Sequence, residues 1–200
     1  MRKSRTSSWR AYRPEAAACA LPAGGAAGCR VLGLDPGSRR TGYGLLDCGA
    51  GGAVHVAHGC IDVSGLEFAA RLRRIFEAVH ALIEAHHPDE VAIERVFLSR
   101  NADSALKLGQ ARGAALAAVP VATATFEYAP REVKLAVVGY GAAEKPQVGH
   151  MIGRLLAIDV RLPADAADAL AVALCHSQAR RLALLTRGVA GARRASGVRR

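Results

Sequence analysis

Aromatic side chains are scarce in this 200-residue chain: four Phe, four Tyr and one Trp, 4% in all. A core without large rings must close through small and aliphatic groups. With hydrophobic residues at 51% and Ala prominent among them, closely packed helices are expected. Cysteine is sparse and scattered: Cys19, Cys29, Cys48, Cys60 and Cys175 are odd in number and form no C-x-x-C pair. That argues against a disulfide framework or a zinc knuckle and fits a reducing cytoplasm. No strongly hydrophobic run of about 18 uncharged residues occurs, so a membrane span is not expected. No internal repeat is visible.

Net charge is +10, but it is unevenly placed. Residues 1–30 carry six basic residues against one acid, and residues 180–200 carry seven arginines and no acid. The stretch 31–179 holds 14 basic and 16 acidic residues. The basic ends favour a polyanion partner. The acidic surplus of the middle suggests carboxylates gathered for a purpose. Residues 1–30, Arg/Ser-rich and then Ala/Gly/Pro-rich, read as a flexible basic extension rather than a secretory signal, because Pro22, Gly24 and Gly25 break a weakly hydrophobic run. Residues 183–200 read as an Arg-rich disordered tail.

Between these ends, hydrophobic periodicity predicts strands at 31–35, 41–47, 53–63, 89–94 and 121–127. The same reading predicts helices at 68–83, 102–119, 130–138, 144–157 and 165–182. The order βββ-α-β-α-β-ααα specifies an α/β domain at 31–182, a five-stranded mixed sheet flanked by helices.

Two acids end apolar strands: Asp35 closes V-L-G-L-D and Glu94 closes V-A-I-E. Asp165 and Asp168, three apart near the start of the last helix, share one helical face. Taken singly, each has an ordinary reading. Asp165 suits a helix N-terminus, Asp35 a turn before Pro-Gly, and Glu94 an ion pair with Arg95 or Arg100. If the first and fourth strands are neighbours, however, Asp35 and Glu94 emerge side by side, and the last helix can carry the other two across them. Four such carboxylates repel one another unless a cation intervenes. An all-oxygen set selects Mg²⁺ or Mn²⁺, and two such ions about 4 Å apart can activate water and stabilise the leaving oxygen of a phosphodiester. This is what a nuclease needs.

Four stretches carry a specific likeness: L-G-L-D-P-G-S-R-R-T-G-Y-G (32–44), A-I-E-R-V-F-L-S-R-N-A-D-S-A-L-K-L-G-Q-A-R-G (92–113), V-V-G-Y-G-A-A-E-K (137–145) and A-D-A-A-D-A-L-A (164–171). From about residue 31 to 178 the chain resembles the RuvC Holliday-junction resolvases of the ribonuclease H-like superfamily. The resemblance implies a ribonuclease H-like fold and an endonuclease that cuts four-way DNA junctions symmetrically in recombination and repair. It makes Asp35, Glu94, Asp165 and Asp168 the catalytic, metal-binding acids, with two Mg²⁺ per subunit and Mn²⁺ as a substitute. It places Phe97 against bases near the junction centre, Lys134 and Lys145 near the DNA backbone and scissile phosphate, and Arg100 and Lys107 among the DNA-binding residues. The helix at 102–119, with Gly109 and Gly113 four apart, becomes the element of a homodimer. The remaining implied properties are a RuvA–RuvB branch-migration partner and a cytoplasmic location. Residues 1–30, a compact link from 156 to 165 and the Arg-rich tail depart from the family pattern, and none touches the four acids.

Other signals carry less. His55 and His58 lie on a strand, where their spacing predicts opposite faces. His86-His87 reads as a solvated helix cap, Cys175-His176 lacks a triad, and the loop after Asp35 lacks the G-K-[ST] of a P-loop. An actin-like phosphotransferase would need a second domain for which there is no room. A non-catalytic junction binder would not need all four acids. A related nuclease acting on RNA or hybrid duplexes is the third rival.

Overall fold

The computed structural model of this chain describes residues 28–95 and 101–196. The leader expected at 1–30 therefore lies outside the described residues except for its last three. The elements are β1 (Cys29–Asp35), β2 (Arg40–Gly49), β3 (Gly52–Asp62), α1 (Phe68–His86), β4 (Glu90–Glu94), α2 (Ala102–Ala117), β5 (Ala124–Tyr128), α3 (Pro130–Val138), α4 (Lys145–Leu155) and α5 (Ala164–Ser196). The sheet order is β3-β2-β1-β4-β5. The first three strands form an antiparallel meander, and β4 and β5 run parallel to β1. Each parallel connection passes through a helix, α1 before β4 and α2 before β5.

Alternation along the strands splits the core into two layers. Leu32, Leu34, Leu45, Val91 and Ile93 meet Ile75, Val79 and Ile83 of α1 and Ala111 and Ala115 of α2. Val31, Leu46 and Ala92 face the other way, into α3, α4 and the buried stripe of α5. On this second face the helix comes very close. A Cβ at Gly33 would lie 2.8 Å from the Ala173 Cβ and collide with the Ala169 carbonyl, and one at Gly42 would collide with the Asp165 carbonyl. Glycine in β1 and β2 is what lets α5 rest on the sheet.

A buried polar cluster ties α5 down further along. His176 Nε2 and Glu90 Oε2 are 2.6 Å apart, His176 Nδ1 meets the Tyr128 hydroxyl at 2.7 Å, and Arg180 Nε donates to Glu90 at 3.2 Å. Burial alone would raise the Glu90 carboxyl. The hydrogen bond to His176 and the charges of His176 and Arg180 outweigh it and hold the group below its ordinary value.

Four expectations need correction. β1 begins at Cys29 rather than 31, because Arg30 is pinned: its amide donates to Asp89 at 2.7 Å and its guanidinium to Asp47 at 2.7 and 2.9 Å. β5 begins at Ala124 rather than 121, because a turn closed from the Thr123 amide to the Pro120 carbonyl (2.9 Å) leaves Val121 fully exposed. The last helix runs to Ser196 rather than 182, so 183–196 continues it where a disordered tail was expected; the segment contains no proline. His55 and His58 share a face, with ring nitrogens 2.8 Å apart. The cause is a bulge: pairing steps from Ala57↔Leu45 to His55↔Leu46, leaving Val56 unmatched and rephasing β3. Among the described residues no helix is long and apolar enough to cross a membrane.

Candidate active site

Parallel pairing of β1 with β4, registered Leu34↔Ile93, puts the next residues of both strands, Asp35 and Glu94, beside each other. Alternation sends both to the face that α5 covers, in line with Gly33 and with Glu90 and Ala92. α5 lies with its first turns over this strand end: Asp165 sits above Gly42, the partner of Asp35 across β1 and β2. Asp168, three residues on, faces Asp35 and Glu94 closely enough for its charge to act on both.

Glu94 stands close enough to Asp35 for its charge to act on it. Burial, then the charges of Glu94 and Asp168, push the Asp35 carboxyl up to about 8. Burial also raises Glu94, with Asp168 adding to the effect and Lys145 and Lys134 opposing it. Lys145, at the start of α4, donates to Asp168 Oδ2 at 2.6 Å, and that bond holds its ammonium above the ordinary lysine value. The site is thus a half-buried acidic pair with a third carboxylate and two lysines around it.

Asp35, Glu94, Asp168, Lys134 and Lys145 are therefore brought together. Asp165 is offset toward β3, where burial and then its charge raise the Cys60 thiol. Lys107 is elsewhere, on the exposed side of α2, donating to Asp103 at 2.6 Å. Phe97 and Arg100 lie outside the described residues, in the segment that follows Glu94 and Arg95. Among the described residues no three His, Cys, Asp or Glu side chains converge tightly enough to cage an ion in this arrangement, Asp168 being turned to Lys145. The donor set nevertheless fits a hard divalent cation. It is all oxygen and partly buried, and an ammonium already sits against Asp168. Sequence reasoning missed the Glu90–His176–Tyr128 cluster, whose one signal was a histidine inside the apolar stripe of α5.

The chain is similar to proteins of one family. The model of a family described as Crossover junction endodeoxyribonuclease RuvC matches residues 31–176. A protein of that name from Shewanella sp. (strain W3-18-1) is 49% identical over 164 residues, 82% of this chain and 95% of that protein. Another, from Shewanella sp. (strain MR-4), is 53% identical over 147 residues, 73% of this chain and 85% of that protein. Among solved structures, T. thermophilus RuvC in complex with Holliday junction substrate superposes with a TM-score of 0.71 at 34% identity, covering 78% of this chain and 97% of that one. The yeast mitochondrial Holliday junction resolvase Ydc2, at 12% identity and a TM-score of 0.59 over 80% of this chain and 84% of that one, shares the fold. On the family match and these identities, the chain belongs to the RuvC family of crossover junction endodeoxyribonucleases.

Proposed function

We propose that this protein resolves four-way DNA junctions by paired, symmetric, metal-dependent phosphodiester hydrolysis, in recombination and repair. The observation that carries the reading is the juxtaposition of Asp35 and Glu94 at adjacent strand ends beneath Asp168, with Lys134 and Lys145 beside them. Asp35, Glu94 and Asp168 would hold Mg²⁺, two ions per subunit with Mn²⁺ as a substitute, and Asp165 would assist from its place over β2. When bound, such ions supply an activated water and charge for the leaving oxygen. The chain's own part is to fix the carboxylates on strands and on a packed helix, and to present lysine charge to the scissile phosphate.

Homodimerisation through α2 is supported by its outward side. Leu106 is exposed and a Cβ at Gly109 or Gly113 would meet nothing within 4 Å, so the smooth stripe is not used inside the protomer. Phe97 stacks on bases next to the cut, Arg100 and Lys107 add backbone contacts, and a RuvA–RuvB complex is the branch-migration partner. The four described cysteines are all free, which suits the cytoplasm.

The test is incubation of the purified protein with synthetic junction, linear duplex and RNA–DNA hybrid, with and without Mg²⁺. Symmetric nicks confined to the junction and dependent on Mg²⁺ are expected. Cutting of the hybrid with the junction left whole would overturn the reading. Lys145→Met separates chemistry from fold. Its side chain is 73% exposed, so the melting temperature should barely move, an exposed ion pair contributing about 0–1 kcal/mol. Single-turnover nicking should fall at least about tenfold. An unchanged rate would remove Lys145 from the phosphate.

A further inference from the structure

A second feature adjoins the site. Between α4 and the segment that leads into α5 runs a groove of about 750 Å³, and Lys145 and Asp168 line it as well as the catalytic centre. Its outer wall carries Arg154 and Arg161, with His150 between Lys145 and Arg154 along α4. Arg154 and Arg161 are exposed, and neither meets a carboxylate among the described residues. Arg30, Arg40, Arg112 and Arg180, by contrast, each have one. One acid besides Asp168, Asp159, lines the groove.

The floor is bare. Gly149 and Gly153 both line the groove. A Cβ at Gly149 would come no closer than 3.8 Å to Ala167, and one at Gly153 no closer than 3.5 Å to the Ile158 carbonyl. Packing therefore demands glycine at neither position, and the missing side chains serve to keep the groove open. The far wall is fixed by the end of α4: Ala157 takes a left-handed conformation (φ 51°) and the Ile158 amide donates to the Gly153 carbonyl at 2.9 Å. Arg154, in the last turn of α4, suits the negative end of the helix dipole. Arg161, in the connecting segment, has no such explanation.

We propose that this groove holds the sugar–phosphate backbone of the DNA arm that carries the scissile bond, with Arg154 and Arg161 on successive phosphates. The inference rests on the junction-cutting reading and deepens it: Lys145 marks where the strand enters the catalytic centre, and the two arginines mark its path away. Contacts of this kind position the strand and carry no base information.

The experiment measures junction affinity without divalent ions across 0.05–0.2 M salt, a range on the order of that over which phosphate contacts show their salt dependence. Each phosphate contact contributes about 0.9 to the slope of log affinity against log salt. Arg154→Ala/Arg161→Ala should flatten the slope by about two and weaken binding on the order of tenfold or more at the low-salt end. The thermal melt should be preserved. Arg154→Lys/Arg161→Lys should restore most of the slope, and Arg73→Ala/Arg74→Ala, exposed on α1, should leave it at the wild-type value. A double alanine variant with the wild-type slope overturns the groove while junction nicking by the wild type stands. A wild type that fails on junctions overturns the reading of the site, and the same slope comparison on linear duplex then judges the groove alone.

Discussion

Asp35→Asn is expected to abolish junction nicking, by at least about 10²-fold, while junction binding survives and the metal-free protein becomes more stable. The two effects have one origin. Burial and the charges of Glu94 and Asp168 lift the Asp35 carboxyl from an ordinary value of 3.8 to about 8 in the folded protein. A group raised on folding binds more protons in the native than in the unfolded state between those two values. Stability of the metal-free wild type therefore falls as pH rises from about 4 toward 8. An amide carries no charge to desolvate or repel, so the variant lacks this slope. At pH 8 in EDTA it should gain about 1–2 kcal/mol, or roughly 2–8 °C in melting temperature for a chain of this size. Glu94→Gln should move the same way. The decisive pair of measurements is a melt across pH and a single-turnover nicking assay on one preparation. Lower stability together with lost cutting would make Asp35 a structural residue.

Gly33→Val should be almost as damaging, from a residue that touches no substrate. Its Cβ would press on the Ala173 Cβ and the Ala169 carbonyl, and neither helix backbone nor strand can yield locally. The added branches make the overlap worse. Relief comes by lifting α5, which costs about 3 kcal/mol, the upper part of the range for overpacked cores. The same shift moves Asp168 off Asp35 and Glu94, and a displacement of 1 Å at a catalytic group lowers rates on the order of 10²-fold. Melting and single-turnover nicking at saturating protein and Mg²⁺ test this. A variant that melts and cuts like the wild type would show that the close approach of α5 to β1 is dispensable.

How much of this was legible beforehand depended on whether the cause lay within a few residues. The short run 31–35 ending in Asp-Pro-Gly declared both a buried strand and its acid. The periodicity of 68–83 declared the helix that makes β4 parallel to β1. With the first and fourth strands taken as neighbours, the meeting of Asp35 with Glu94 followed, and their pairing supplies that condition. What stayed hidden depended on distant partners. Arg30 belongs to β1 because Asp47 and Asp89 wait for it. Val121 favours a strand by propensity but loses to the turn at Pro120. The bulge at Val56 cannot be read from β3 alone, since it is a property of its pairing with β2. The offset of Asp165 from Asp168 is likewise a matter of how α5 lies across two strands, which a helical spacing does not specify.

The surface on which α5 rests is nearly featureless. Gly33 on the sheet meets Ala169 and Ala173 on the helix, small groups that offer little resistance to movement along the helix axis. Such a track permits close approach without setting a position along it. The setting comes from the polar end: His176 must reach Glu90 and Tyr128 together, and a slip of one residue, about 1.5 Å of rise, would leave these buried groups unpaired. Eight residues, about 12 Å of helix, separate His176 from Asp168. The carboxylate at the cutting end is thus indexed by a hydrogen-bonded stop at the other, and the helix between them works as a ruler.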